Sequence, residues 1–285
     1  MQHLRHFLKA STDWVLFTSI FAACCAVGLS LATERLLLHR IPPVLTYLHA
    51  LVFGGVAVVY NLHYAIKKST PELSDRFDWS GHHKSTHVLF IAAGAVICAI
   101  SLFRLPWEIF LACVVLAFLS FAYSLPLLPF APRKRLKDFG WIKITVLAGV
   151  WTIVTSILPM LYWNKSITDY PFEILLRFVF MFTLCVAFDI RDMQTDLEAG
   201  IYTLPNLIGV GGSYRLINFG LLLFAALSIA QYCRYPSLIR LGGAVLTTLV
   251  ARLAVEYARR HPSDKAYLGY VDGTMLFYAI MVLLH

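Results

Sequence analysis

The chain has 285 residues, of which 59% are hydrophobic and only 14% charged, with a mean hydropathy of +0.71, whereas soluble domains carry fewer apolar and more charged residues. The formal net charge of +8 is spread over many short loops, with no basic helix or basic-aromatic stripe, which excludes a nucleic-acid partner and points to a bilayer. The expected fold class is all-α, a polytopic transmembrane helix bundle: about nine spans of roughly 20 residues, with short loops, use the whole length in a single integral-membrane domain, 1–285.

In chain order, apolar stretches long enough to span run over 13–33, 43–66, 87–103, 106–125, 140–162, 172–190, 213–233, 237–257 and 267–284. The first is too long for a signal-peptide core and shows no small-residue cleavage site before Glu34, so it is expected to stay in the mature protein. Only Arg104-Leu105-Pro106 separates the third and fourth, and Pro106 suits the first turn of a new helix, so a tight hairpin is expected. All six cysteines (Cys24, Cys25, Cys98, Cys113, Cys185, Cys233) fall in or at the ends of apolar runs. Without C-x-x-C spacing or a His partner set they read as small packing residues rather than metal ligands or disulfides.

Lys and Arg collect on the cytosolic side of membrane proteins. With the N-terminus inside, the inner segments hold Arg5, Lys9; Lys67, Lys68, Arg76, Lys84; Arg133, Lys134, Arg135, Lys137; Arg191, Arg215; and Arg259, Arg260, Lys265, against scattered Arg35, Arg40, Arg104, Lys165 and Arg234 outside. The expected location is the cell inner membrane. In this topology Tyr60–His63, Pro132–Lys137 and Asp189–Asp196 converge on one cytosolic mouth.

Concentrated chemistry lies in the last of these. Asp189, Asp192 and Asp196 sit at i, i+3 and i+7, which on a continuing helix puts three carboxylates on one face within about two turns, beside Arg191. Such a cluster repels itself unless a cation neutralises it. Oxygen-only ligands favour Mg2+ or Ca2+ over zinc, and Mg2+ joins one or two carboxylates to substrate phosphates. The plainer alternative is a solvated acidic helix end.

Asp189-x-x-Asp192-x-x-x-Asp196, followed by Gly200 and Thr203-Leu204-Pro205, resembles the second aspartate-rich motif of the UbiA-type intramembrane prenyltransferases. That resemblance implies nine helices and the joining of a prenyl diphosphate to an aromatic or other lipophilic acceptor. It also implies Mg2+ held between two Asp-rich motifs at the cytosolic ends of helices 2 and 6, which makes Asp189, Asp192 and Asp196 the catalytic and metal-binding candidates. Tyr123-Ser124-Leu125-Pro126 followed by Arg135-Leu136-Lys137 resembles the segment after helix 4 in the branch of the family containing chlorophyll synthases. By that likeness Arg135, Lys137 or Lys143 neutralises the diphosphate, with Arg191 and Tyr123 as further substrate-binding candidates. The alternative for the loop is plain positive-inside charge.

The first motif departs from the family pattern N-D-x-x-D-x-x-x-D. Asn61 is retained, but Leu62, Ala65 and Ser69 stand where the aspartates belong. His63 offers a neutral ligand or a hydrogen bond to phosphate, and Lys68 an ammonium in place of metal charge. Glu72, Asp75 and Asp78 in the following loop are either substitute ligands or ordinary loop charges. Asp272, just before Gly273 in the last apolar run, is an ionisable residue within a span and so a functional candidate, ranked below the Asp189 cluster. Tyr60, Tyr64 and Tyr123 either present ring faces to an allylic cation or merely anchor the membrane interface.

The competing function is a non-catalytic UbiA-like membrane protein that binds an isoprenoid lipid or a protein partner. A transporter ranks third, since polar residues deep in the spans are scarce and no pair of interrupted helices stands out. Prenyl length, acceptor identity and oligomeric state are left open by the sequence.

Overall fold

A backbone crossing lipid must satisfy its polar groups internally, and long apolar runs do so as helices. The computed structural model describes residues 2–40, 42, 44–66, 74–124, 139–198 and 200–284, and among them it is all-helical. The helices are α1 (Gln2–Phe17), α2 (Ile20–Leu38), α3 (Tyr47–Ile66), α4 (Asp75–His82), α5 (Lys84–Leu102), α6 (Trp107–Ser124), α7 (Gly140–Thr152), α8 (Leu158–Tyr162), α9 (Pro171–Glu198), α10 (Leu204–Arg234), α11 (Leu238–Arg260) and α12 (Gly273–Leu283). Among the described residues eight helical segments are long and apolar enough to cross a membrane, and a ninth apolar helix, Trp107–Tyr123, is shorter. Phe118, Phe219, Leu222 and Leu253 are exposed on the outer surface, where lipid rather than water is the compatible solvent.

The start of the chain differs from expectation. The apolar run 13–33 is split: α1 ends at Phe17, Ser19 adopts a left-handed φ of 61°, and the first span is Ile20–Leu38. Hydropathy hides this break because Thr18 and Ser19 interrupt nothing apolar on either side. Carbonyls freed by a break need partners. Arg76 Nη2 donates to Phe17 O at 3.1 Å, and Asn61 Nδ2 to Thr18 O at 2.9 Å.

Proline shapes the fifth span. Pro159 has no N–H to offer the carbonyl of Thr155, four residues back, and a π-helical turn, Ile153–Ile157, forms just before α8. Thr33 Oγ1 on α2 donates to the Thr155 carbonyl at 2.7 Å, so the cost of the bulge is offset by a tie between two spans. A second π-turn, Ala266–Val271, precedes α12 and lets the Asp272 N–H reach Tyr267 O, five residues back, at 3.0 Å.

α9 packs between α7 and α10, and α12 lies along α2. At its centre Phe180 meets the rings of Phe224 and Tyr278 at 5.2 and 5.3 Å. The helix stops two residues after Asp196: Gly200 turns left-handed at φ 73°, Gly200 N–H bonds Leu197 O at 2.9 Å and Ile201 N–H bonds Asp196 O at 2.8 Å, a glycine C-cap of the Schellman type.

Candidate functional site

The capped end of α9 fixes the acidic segment. Asp189 and Asp196, two turns apart on one face, converge on Lys143 of α7, whose Nζ lies 2.8 Å from Asp189 Oδ1 and 2.6 Å from Asp196 Oδ2. An ammonium between them relieves the repulsion that the spacing creates. Among the described residues Asp189 Oδ2 is buried with no hydrogen-bond partner. Tyr123, at the end of α6, has Lys143, Asp189 and Asp196 as its charged neighbours.

Lys143 is placed by Gly140, the first residue of α7, at φ 30°. A Cβ there would collide with Tyr202 O, in the loop after Gly200, so only glycine lets the start of α7 approach the end of α9 this closely.

Asp192, on the same face, takes a different cation. Arg191 forks onto it, Nε to Oδ1 at 2.7 Å and Nη2 to Oδ2 at 3.1 Å, a bidentate charge-assisted pair. The same guanidinium lies 4.9 and 5.7 Å from the ring centroids of Phe188 and Tyr267 and makes a looser 3.7 Å ion pair with Asp264. Among the described residues no group of three or more His, Cys, Asp or Glu side chains gathers as a ready metal cage. The three aspartates therefore divide between two cations rather than meeting at one point.

Asp264, between α11 and the second π-turn, also holds the short helix α4 over this end: it accepts Ser74 Oγ at 2.6 Å and the Arg76 N–H at 2.9 Å. That grip inserts the Arg76 side chain into the bundle, its guanidinium 4.0 Å above the Tyr64 ring and bonded to Ser19 Oγ at 2.6 Å. Trp79 stacks on His83 at 4.0 Å and meets Phe17 edge-on at 5.8 Å, fastening α4 to α1.

Of the residues singled out from sequence, Asp189, Asp196, Lys143 and Tyr123 come together, with Arg191 and Asp192 beside them. Lys68, Arg135, Lys137 and Glu72 lie outside the described residues. His63 sits half-buried on the last turn of α3, edge-on to Tyr64 at 5.4 Å. Asn61 is fully buried: beyond Thr18 it donates to Ala57 O at 2.7 Å, and its Oδ1 pairs with His87 Nδ1 at 2.6 Å, so its amide is committed within the protein. Asp75 and Asp78 are exposed on α4, as ordinary loop charges are. Arg76 and Asp264 were not found by sequence reading; a buried arginine in a polar loop leaves no periodic signal.

Sequence reading also missed a second charged group, at the opposite end of α9. Arg177 is 0% exposed and bonds Glu173 Oε1 at 2.8 Å and Thr33 Oγ1 at 3.1 Å. Nearby, Glu34 accepts Trp163 Nε1 at 3.0 Å and pairs with His49 Nε2 at 3.1 Å. The His49 ring is oriented by the Thr46 N–H, which donates to Nδ1 at 2.9 Å.

The model of the UbiA prenyltransferase family matches residues 80–280 of this sequence. The chain belongs to the UbiA prenyltransferase family. Solved structures similar to this UbiA chain include a UbiA homolog from Archaeoglobus fulgidus bound to GPP and Mg2+, at 12% identity and a TM-score of 0.63, covering 96% of this chain and 100% of that one. A UbiA homolog from Aeropyrum pernix K1, in its apo form, shares 15% identity with a TM-score of 0.62 over 95% of this chain and 98% of that one. A digeranylgeranylglyceryl phosphate synthase shares 14% identity with a TM-score of 0.54 over the full length of both. At these identities the likeness is one of fold. No curated protein matches the chain by sequence.

Proposed function

We propose that this protein is an intramembrane prenyltransferase that moves an isoprenyl group from an allylic prenyl diphosphate to an aromatic or other lipophilic acceptor. The observation that carries the reading is the pairing of Asp189 and Asp196 across Lys143, with Asp189 Oδ2 buried and without a hydrogen-bond partner among the described residues. Leaving a buried carboxylate oxygen unsatisfied is costly, and a hard cation or a donor is what it accepts.

That donor set fits a divalent ion such as Mg2+ on the α9 wall, with Asp189 and Asp196 as holders and Asp192 alongside; when bound it neutralises charge on the diphosphate leaving group. The facing wall does not fit the family's first carboxylate set, since Leu62, Ala65 and Ser69 stand where the aspartates belong and Asn61 is tied to Thr18 and His87. Protein cations take up that share. Lys143 and Arg191 supply positive charge beside the carboxylates, where it stabilises negative charge developing on the leaving oxygen, and Arg76 stands close by with Nε unpartnered. Around them Tyr60 and Trp151, linked by a 3.2 Å hydrogen bond from Trp151 Nε1 to the Tyr60 hydroxyl, give a dry aromatic wall whose ring faces suit an allylic cation.

The missing carboxylate wall also supports a second reading, a protein that binds an isoprenoid diphosphate without turning it over. Purified protein in nanodiscs with allylic diphosphates of several lengths, with and without Mg2+, separates the two. Released diphosphate that depends on Mg2+ supports the transferase; tight binding without release supports the binder.

A further inference from the structure

The two faces of α11 differ. Gly243, Thr247, Ala251 and Ala258 are buried on one of them, where the helix packs on α10 and α12. On the other, Leu249, Arg252, Leu253, Glu256, Arg259 and Arg260 recur at the three- and four-residue spacing of a single helical stripe that runs to the end of the helix. Leu249 and Leu253 are 55% and 68% exposed, an apolar surface for lipid. Charge takes over within about two turns, since Arg260 lies roughly 12 Å beyond Arg252.

The charges on this stripe do not cancel. Glu256 Oε1 accepts Arg260 Nε at 2.8 Å, and its Oε2 lies 3.3 Å from Arg252 Nη1 and 3.6 Å from Arg259 Nη1. One carboxylate therefore serves three guanidiniums, which leaves a net charge of +2 on one helix face. The Arg252, Arg259 and Arg260 side chains are 42%, 54% and 70% exposed, so each keeps an open side with donors to offer. Tyr214 of α10 backs the group, its ring centroid 5.2 Å from the Arg259 guanidinium. A merely solvated helix end would scatter its cations around the helix. Here three are gathered on the face that continues into the exposed leucines.

We infer that this stripe is a binding site for an anionic phospholipid, its phosphate held by Arg252, Arg259 and Arg260 and its acyl chains laid along Leu249 and Leu253. An amphiphile matches the stripe in order, chains against the leucines and headgroup against the arginines. Guanidinium forks suit phosphate oxygens, and basic clusters where a helix leaves the bilayer attract anionic headgroups. Arg252 stands level with Leu253 but reaches one turn along the helix to Glu256, as long basic side chains do at a membrane boundary. This site is independent of the transferase reading and serves a transferase or a binder alike.

The test offers equal amounts of phosphatidylglycerol and phosphatidylcholine to the full chain in detergent and counts bound lipid by native mass spectrometry. Two net charges favour the anionic lipid by about 30-fold at low salt, roughly fivefold for each charge. The parent should retain one phosphatidylglycerol with that preference. Combined Arg252→Gln, Arg259→Gln and Arg260→Gln should lose it with the melting temperature little changed, because all three side chains are exposed. Glu256→Gln should instead raise the preference about fivefold. Inorganic phosphate or glycerol 3-phosphate at the same concentration should not displace the lipid, since neither has chains to cover the leucines; displacement by either would make the stripe a free-phosphate site and overturn the lipid assignment. Equal retention of both lipids by the parent, or a bound phosphatidylglycerol that survives the triple substitution, would overturn the site altogether. A lower preference in Glu256→Gln would do the same, showing that the three arginines serve only their own ion-pair network.

Discussion

The two ends of α9 both carry charge into the bundle, and they do so in different ways. At the Arg177 end, Arg177, Glu173, Glu34 and His49 are all buried and form two pairs, Arg177–Glu173 bonded also to Thr33 and Glu34–His49 bonded also to Trp163, drawing together α2, α3, α9 and the loop after α8. Among the described residues Arg177 Nε and Nη1 and Glu173 Oε2 have no hydrogen-bond partner, which marks them as positions for ordered water. At the Asp189 end, roughly 18 Å further along the helix at 1.5 Å per residue, Lys143 and Asp189 are buried but the neighbouring Arg191–Asp192 pair remains in contact with solvent: the Asp192 side chain is 36% exposed and Arg191 20%. Charges sealed on all sides hold helices in place, whereas charges that keep an open side can exchange a protein partner for a ligand.

Breaking the sealed end should have the largest effect. Arg177→Met removes one member of a buried pair and strands the Glu173 carboxylate, which typically costs about 3–5 kcal/mol. Thermal unfolding in detergent should show a drop of many degrees, or no folded protein at all. A variant as stable as the parent would mean that the Arg177 end contributes nothing to holding the spans, and the contrast between the ends would vanish.

The open end should lose activity instead. Asp192→Asn keeps size and hydrogen-bonding capacity but removes the charge facing Arg191. Loss of a charged hydrogen bond of roughly 1.5–3 kcal/mol corresponds to at least tenfold in rate. Diphosphate release with Mg2+ should fall by that factor or more with melting unchanged. Turnover that survives the substitution would remove Asp192 from the site.

What the sequence made legible, and what it did not, follows the same division. Hydropathy located the helices because burial in lipid is a property of each segment alone, and the Asp189–Asp196 spacing was readable because its partners lie on one helix. Arg177, Glu34 and Glu173 were invisible as a group, since pairing across helices has no period in any one of them. The break at Thr18–Ser19 was missed for the related reason that its compensation comes from Asn61 and Arg76, distant in the chain. Asn61 shows the hazard of a retained motif residue: it matches the family pattern while its amide serves that break.

Gly140→Ala sharpens the contrast from the backbone side. The added Cβ would collide with Tyr202 O at a φ of 30°, and relieving such overpacking costs about 1–3 kcal/mol. The relief must move α7 away from the end of α9, so Lys143 should loosen from Asp189 and Asp196 and turnover should drop along with stability. Gly149→Ala in the same helix, where a Cβ meets nothing within 4 Å, is the control and should be neutral or slightly stabilising. Equal effects from both would show that the close approach at Gly140 is not what positions Lys143.

The smallest effect is expected at Ser74, which joins α4 to the open end. Ser74 Oγ caps α4 by accepting the Phe77 N–H at 3.3 Å and donates to Asp264 Oδ2 at 2.6 Å. Ser74→Ala removes both, and the loss of such a cap costs about 1 kcal/mol. Asp264 would still hold the Arg76 N–H and its ion pair with Arg191, so α4 should fray without leaving its place. Amide hydrogen exchange over Phe77–Ser80 should speed up severalfold while the global melting temperature moves by no more than a few degrees. This locality is the decisive part of the prediction, because an open end made of replaceable contacts tolerates the loss of one of them. A collapse of global stability approaching that of Arg177→Met would show that the two ends are bound into one cooperative network and that solvent contact at Asp192 does not make the site more yielding.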